Sequence, residues 1–171
     1  MNGRRAGVAA GTGEGALASA PATSPELDAL LSTLASLRAS ALGKLSGLSE
    51  HDARRSTVPS GTNLAGLIQH LTFVEAKWIE QIVAGRKPSR GKRSMQVDPS
   101  VSLTMLRADY RAACEASDAV LREIGDPDSP LTYKGVTRDL RWAVFAVINE
   151  TARHAGHADI IREQLDGRTG R

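Results

Sequence analysis

The chain has 171 residues, of which 41% are hydrophobic and 24% charged, as is ordinary for a globular protein. Its net charge of +3 is too weak to indicate a polyanion partner, and with 4% aromatic residues there is little for base stacking, so no nucleic acid is expected as partner. The single cysteine, Cys114, excludes an intrachain disulfide and a metal site built on several thiolates, and it fits a reducing, cytoplasmic location.

Residues 1–23 differ in composition from the rest of the chain. Arg4 and Arg5 come early, and glycines and Glu14 interrupt any apolar run, so we expect a disordered tail and no signal peptide. No apolar run approaches the ~20 residues needed to span a membrane, so a membrane is not an expected partner. Residues 24–171 are predicted to form one domain with its own core.

Four segments have the apolar spacing of amphipathic helices. The first is predicted over about residues 24–48, with Ser24 as N-cap and Pro25 at the first helical position. Its apolar stripe consists of Leu27, Leu30, Leu31, Leu34, Leu37, Ala41 and Leu45. The second helix is predicted over about residues 62–84. Its stripe consists of Leu64, Leu67, Ile68, Leu71, Val74, Trp78 and Ile82.

The other two helices are predicted over about residues 100–124 and 137–165, with Gly167 as the stop signal of the last. No alternating strand pattern and no internal repeat is evident. Burying four apolar stripes against one another gives an all-α fold, a four-helix bundle.

Polar groups lie beside the apolar stripes of the second and fourth helices. Glu150 and His154 are four residues apart, so they point to the same side of the last helix. His70 stands beside the stripe of the second helix. Bundle metal sites are built from such inward-pointing side chains, and a divalent cation would satisfy one carboxylate and two neutral imidazoles together. Three protein ligands leave positions open for water or substrate.

A reading without metal is also open. A single histidine beside an apolar stripe is more often a hydrogen-bonded core residue. Glu150 could pair with Arg153 or with His154 as an ordinary helix pair.

Two segments, TNLAGLIQHLTFVEAKWIEQIVAG and DLRWAVFAVINETARHAGHADIIREQLDG, resemble the DinB-like metal-binding four-helix proteins, and the resemblance covers nearly all of residues 30–171. That superfamily carries one His on the second helix and two ligands four apart on the last. The resemblance therefore assigns His70, Glu150 and His154 as metal ligands. Many members of the superfamily have a histidine where this chain has Glu150. The version with a glutamate resembles the metal domain of mycothiol-dependent maleylpyruvate isomerase, a zinc enzyme.

The resemblance implies a metal-dependent thiol S-transferase or isomerase, acting on a small-molecule electrophile with a low-molecular-weight thiol such as mycothiol. Zinc is the expected metal, with nickel or iron(II) as alternatives. His157, one turn after His154, is a candidate supporting group or proton carrier, and a surface or core role is equally open. Two other functions remain: a metal-binding stress or interaction protein without turnover, and a hydrolase using metal-bound water. A homodimer is expected only by analogy.

Further residues carry weaker expectations. A loop with five basic residues is predicted to be a solvated connection, with an electropositive rim for an anionic substrate as the alternative. Its basic residues are Arg86, Lys87, Arg90, Lys92 and Arg93. Trp78 and Trp142 are expected to pack in the core or in a dimer. Gly156, inside the last helix, is expected to allow close helix approach or to leave room for a ligand.

Overall fold

The computed structural model describes residues 24–87 and 91–170, so the predicted tail over 1–23 lies outside the described residues. Its helices are α1 (Pro25–Gly43), α2 (Glu50–Arg54), α3 (Leu64–Glu75), a π-helix (Ala76–Val83) that continues α3, α4 (Leu103–Ile124) and α5 (Leu140–Asp166). Two strands, β1 (Pro130–Tyr133) and β2 (Val136–Asp139), precede α5. The four long helical segments pack as an all-α bundle, which confirms the predicted fold class. Within the described ranges, no helix combines the length and apolar character needed to cross a bilayer.

Helix ends follow local capping chemistry. The Ser24 hydroxyl accepts a hydrogen bond from the Leu27 backbone N–H at 3.1 Å, with Pro25 following, as predicted. At the other end of the bundle, α5 stops at Gly167, whose φ of 74° is left-handed. The third long helix begins at Leu103 behind an N-cap at Ser102, slightly later than the spacing predicts.

The hairpin corrects the expectation that no strand is present. β1 and β2 pair antiparallel, with Pro130 opposite Asp139 and Tyr133 opposite Val136. Lys134 and Gly135 form the turn, and both have positive φ, as two-residue hairpin turns require. Each strand has only four residues, none of them buried, so an alternating apolar pattern has no length in which to develop. The short helix α2 was likewise not predicted.

The core consists of two apolar clusters separated by a polar layer. One cluster lies towards the C-terminal ends of α1 and α5, and the other towards the opposite end of the bundle. Between them, each long helix carries buried polar side chains: Arg38 on α1, Thr72 and Glu75 on α3, Ser117 on α4 and Thr151 on α5. The candidate metal ligands lie at the same level of the bundle.

Arg38 occupies a position in the buried stripe of α1 where the sequence analysis placed Leu37. Its guanidinium donates two hydrogen bonds of 2.7 Å to the carboxylate of Glu75 and a third of 2.7 Å to Asp118. Leu37 is only partly buried. The error arose because a charged residue at a stripe position was not considered as part of the core.

The segment 91–97 packs closely along α3. Gln69 donates hydrogen bonds to the carbonyls of Ser94 at 2.8 Å and Gln96 at 3.1 Å. A Cβ at Gly66 would collide with the backbone of Met95, and a Cβ at Gly91 with the backbone of Phe73. These two glycines therefore permit a contact between loop and helix that forms one wall beside His70.

Candidate metal centre

The packing of α3 against α5 brings the three candidate ligands together. His70 lies on α3, and Glu150 and His154 lie on consecutive turns of α5. One ligand atom from each of the three residues lies within 4.8 Å of the other two. The rings of His70 and His154 meet edge to face, with centroids 4.7 Å apart. The structure thus joins the residues that the sequence analysis singled out on two separate helices.

The candidate centre is partly enclosed, and this keeps its imidazoles neutral. The side chain of His154 is 12% exposed and that of Glu150 28%. Burial lowers the pKa of His70 below its ordinary value, against the opposing effects of the Glu150 carboxylate and a hydrogen bond with the Arg93 backbone. Burial, and then the neighbouring His70, lowers the pKa of His154. Neutral imidazole is the form that binds metal ions.

Two buried ring nitrogens support a fit to a cation. Nδ1 of His70 and Nδ1 of His154 have no hydrogen-bond partner among the described residues. A buried polar atom without a partner costs about 1–3 kcal/mol, so a ligand that satisfied these nitrogens would be stabilising. Bonds to zinc of about 2.0–2.2 Å place ligand atoms about 3–4 Å apart, so a small side-chain rotation would close the observed span. The donor set of two imidazoles and one carboxylate therefore fits a divalent cation.

Glu150 also has protein partners. Its Oε1 accepts a hydrogen bond of 2.8 Å from Nη1 of Arg153, and its Oε2 lies 3.4 Å from Nε2 of His154. Both helix pairs that the sequence offered as alternatives to a metal are therefore present. The Arg153 side chain is 50% exposed, so its pairing is a surface interaction of about 0.2–0.5 kcal/mol, weak enough for the carboxylate to change partner.

Positive charge borders the candidate centre on the α3 side. Arg93 and Lys77 stand near enough to His70 for their charges to lower its pKa further, after the larger effect of burial. The Lys77 ammonium lies 5.8 Å from the centre of the Phe73 ring. Four residues of the predicted basic segment are described and exposed, and Arg90 lies outside the described residues; the four are Arg86, Lys87, Lys92 and Arg93.

His157 contacts the candidate centre and also lines a cavity. Its ring centroid is 5.4 Å from that of His154. The cavity has a volume of about 300 Å³, and its lining residues are Val58, Ser60, Thr62, His157, Ile160 and Ile161. Sequence reasoning missed the residues at 58–62 because their small polar composition is typical of a solvated connection.

Two smaller expectations have clear outcomes. An added Cβ at Gly156 would meet nothing within 4 Å, so this glycine does not allow close helix approach.

The rings of Trp78 and Trp142 pack edge to face at 5.2 Å, and Tyr133 of the hairpin lies 5.9 Å and 5.3 Å from them. The two tryptophans therefore pack the hairpin onto the π-helix and α5, a packing role within the chain.

Comparison with known families gives one match. Residues 29–167 match the family model described as mycothiol S-transferase, and the matched range includes His70, Glu150 and His154. This is a DinB-like family, which confirms the resemblance at that level. The proposed subgroup and the likeness to maleylpyruvate isomerase stay predictions. The comparison with curated proteins found no match.

Proposed function

We propose that this chain, which belongs to the mycothiol S-transferase family, is a metal-dependent enzyme that joins the sulfur of a low-molecular-weight thiol to a small electrophile. One observation carries the proposal: a carboxylate and two imidazoles from two helices have ligand atoms within 4.8 Å of one another. Mycothiol is the thiol that the family description names.

His70, Glu150 and His154 would hold the divalent cation. When bound, such a cation lowers the pKa of a thiol that coordinates it and so supplies a thiolate at neutral pH. The two neutral imidazoles offer lone pairs without adding charge, and the Glu150 carboxylate compensates one positive charge. The partial burial of all three side chains strengthens these interactions by keeping bulk water from one side.

The chain itself does not supply the nucleophile in this proposal. Burial raises the pKa of the Cys114 thiol to about 12, so very little thiolate is present near neutral pH. Its sulfur lies 3.9 Å from Oε1 of Glu75, which belongs to the Arg38 ion cluster and not to the candidate metal centre. A thiol from solution is therefore the reactant that the proposed chemistry requires.

Metal content and thiol conjugation test the proposal together. Protein purified without chelators should carry a stoichiometric divalent ion. It should accelerate the conjugation of mycothiol with monochlorobimane, and chelation should remove this acceleration until zinc is restored. Absence of metal, or a conjugation rate that chelation leaves unchanged, would contradict the proposal.

A metal-binding protein without turnover is the second candidate. One observation favours it: Arg153 and His154 already pair with the Glu150 carboxylate, so this side chain has partners in the absence of a substrate. Bound metal with no reacting thiol would favour this candidate. Metal-dependent ester cleavage would favour a hydrolase instead, and thiol-dependent interconversion of double-bond isomers would identify an isomerase.

Several finer features belong to the same proposal. We propose zinc as the metal, with nickel and iron(II) distinguished by elemental analysis of the native protein. We place the reaction in the cytoplasm, because thiols are kept reduced there. A homodimer stays a prediction for light scattering to test, with Phe145 of α5, 52% exposed, as an exposed apolar residue.

A further inference from the structure

The cavity beside His157 is linked to the candidate metal centre through the ring of that histidine. Ile160 and Ile161 of α5 form one wall, and Val58 of the loop before α3 forms another. The His157 ring lines this space, and its centroid lies 5.4 Å from that of His154, a proposed metal ligand. A molecule in the cavity would therefore contact a side chain that itself contacts a proposed metal ligand.

The lining consists of three aliphatic side chains, the hydroxyls of Ser60 and Thr62, and the imidazole of His157. No Lys, Arg, Asp or Glu contributes to the cavity wall within the described residues. The hydroxyls of Ser60 and Thr62 lie 2.9 Å apart, and since one donates to the other, one hydroxyl hydrogen remains for an occupant. Ile160 is 57% exposed, an apolar side chain at the rim of a concave surface. This lining matches an apolar body with one hydrogen-bond acceptor.

The opposite side of the centre has the contrasting chemistry. Lys77 and Arg93 are the cations that influence His70, whereas no lysine or arginine lines the cavity within the described residues. A carboxylate placed there would lose part of its hydration without gaining a lysine or arginine partner. The volume of about 300 Å³ is at the lower end of small-molecule sites, which measure about 300–1,000 Å³.

We propose that this cavity is the electrophile subsite and that it selects a compact, uncharged electrophile over one bearing a carboxylate. The inference rests on the proposed S-transferase function. In the reaction the thiolate sulfur forms a bond to the electrophilic carbon, and the bond from that carbon to its leaving group breaks. The leaving group departs with the bonding pair, and the thiol proton passes to solvent. A halide is the leaving group for a benzylic halide.

A matched pair of substrates and a matched pair of variants test the selection. Benzyl chloride and 4-(chloromethyl)benzoate differ by one carboxylate, and the wild-type protein should conjugate the first at least ~10-fold faster in kcat/KM, the discrimination typical of a misfit in an apolar pocket. Ile160→Lys should reduce or reverse that ratio. Met105→Lys is the control, since Met105 on α4 is 50% exposed and lies outside the cavity lining. A preference for the carboxylate substrate, or equal ratios in both variants, would overturn the inference.

A binding measurement separates this inference from the proposed function. Benzyl alcohol, uncharged and unreactive, should shift the methyl resonances of Ile160 and Ile161, while those of the fully buried Ile79 in the other apolar cluster stay unchanged. Benzoate should produce smaller shifts at the same concentration. If no thiol reacts with any electrophile, the proposed function fails and the assignment to an electrophile fails with it, while shifts at Ile160 would still show a cavity that binds uncharged molecules. If conjugation proceeds without shifts at Ile160 and Ile161, the subsite inference fails alone.

Discussion

Two polar clusters share the middle layer of the bundle, and they differ in how completely their partners satisfy them. In one, Arg38 is bidentate to Glu75 and also bonded to Asp118, with each distance 2.7 Å. The side chains of Arg38 and Glu75 are 7% and 1% exposed. In the other, His70 and His154 each have a buried Nδ1 without a partner among the described residues.

The difference indicates two roles for polar residues in one layer. Although burial alone would lower the pKa of Arg38, its contacts with Glu75 raise it above the ordinary value, so the charged state is strongly held. The Arg38 guanidinium uses three of its five N–H donors on these carboxylates, so its charge is already paired without a ligand. The histidine cluster retains the capacity for a ligand, and each cluster has a cavity beside it, one lined by Arg38 and Asp118 and the other by His157.

Disrupting the cluster of Arg38, Glu75 and Asp118 should give the largest loss of stability. Arg38→Ala leaves the carboxylate of Glu75 buried without its partner, and we expect a loss of about 3–5 kcal/mol in the free energy of unfolding. Urea denaturation measures it. If the variant does not fold, Glu75→Gln, which keeps the shape and removes the charge, provides the measurement. A loss below about 1 kcal/mol in both variants would contradict the assignment of this cluster as structural.

Removing a proposed ligand from the cluster of His70, Glu150 and His154 should abolish metal binding and leave the fold of the metal-free protein nearly unchanged. His154→Ala should lose the bound ion, and with it the stabilisation of about 2.7 kcal/mol that zinc at 100 times its Kd gives to a binding protein. Calorimetry with and without zinc measures this. His51→Ala is the control, because the His51 side chain is 84% exposed and remote in sequence from the ligands. Stoichiometric metal in His154→Ala would refute the ligand assignment.

The alkylation rate of Cys114 tests whether a side chain beside the Arg38 cluster is shielded from reagents in solution. Because burial raises its pKa to about 12, the native thiol stays protonated over the range in which an unfolded cysteine ionises. Alkylation by iodoacetamide at pH 8 should be at least ~10-fold slower in native protein than in urea. Cys114→Ser should leave thiol conjugation unchanged within about twofold. Rapid native alkylation, or loss of conjugation, would show that this cysteine takes part.

The smallest expected change in stability concerns the partner of Glu150 in the candidate metal centre. Arg153→Ala removes an exposed helix pair, so the free energy of unfolding should fall by only about 0.2–0.5 kcal/mol. Metal affinity should rise, because Glu150 is released and one positive charge near the cation is removed. Titration calorimetry with zinc measures the change. A weaker affinity would mean that Arg153 holds Glu150 in its ligating position.

The sequence predicted the features that depend on regular spacing. Helical period gave the four long helices, and the interval between Glu150 and His154 placed both on one side of α5. Spacing along one helix does not specify what a second helix brings to it, so the ion pairs of Arg38 with Glu75 were missed. The cavity lining was missed for a related reason, because Val58 and Ser60 join Ile160 only through the path of a loop. The hairpin was too short for its pattern to be read.

The close contact between loop 91–97 and α3 has an evolutionary consequence. Any side chain larger than hydrogen at Gly66 would displace the backbone of Met95, so this rim of the site can change little without loss of the contact. The opposite rim, from Val58 to Thr62, is an exposed or partly buried connection in which a Cβ at Gly61 would meet nothing within 4 Å, although its left-handed φ of 78° favours glycine. If the chain is the proposed transferase, variation at 58, 60 and 62 would change its substrate range while the proposed metal ligands stay in place. A library randomised at those three positions is the natural starting point for redirecting the chemistry.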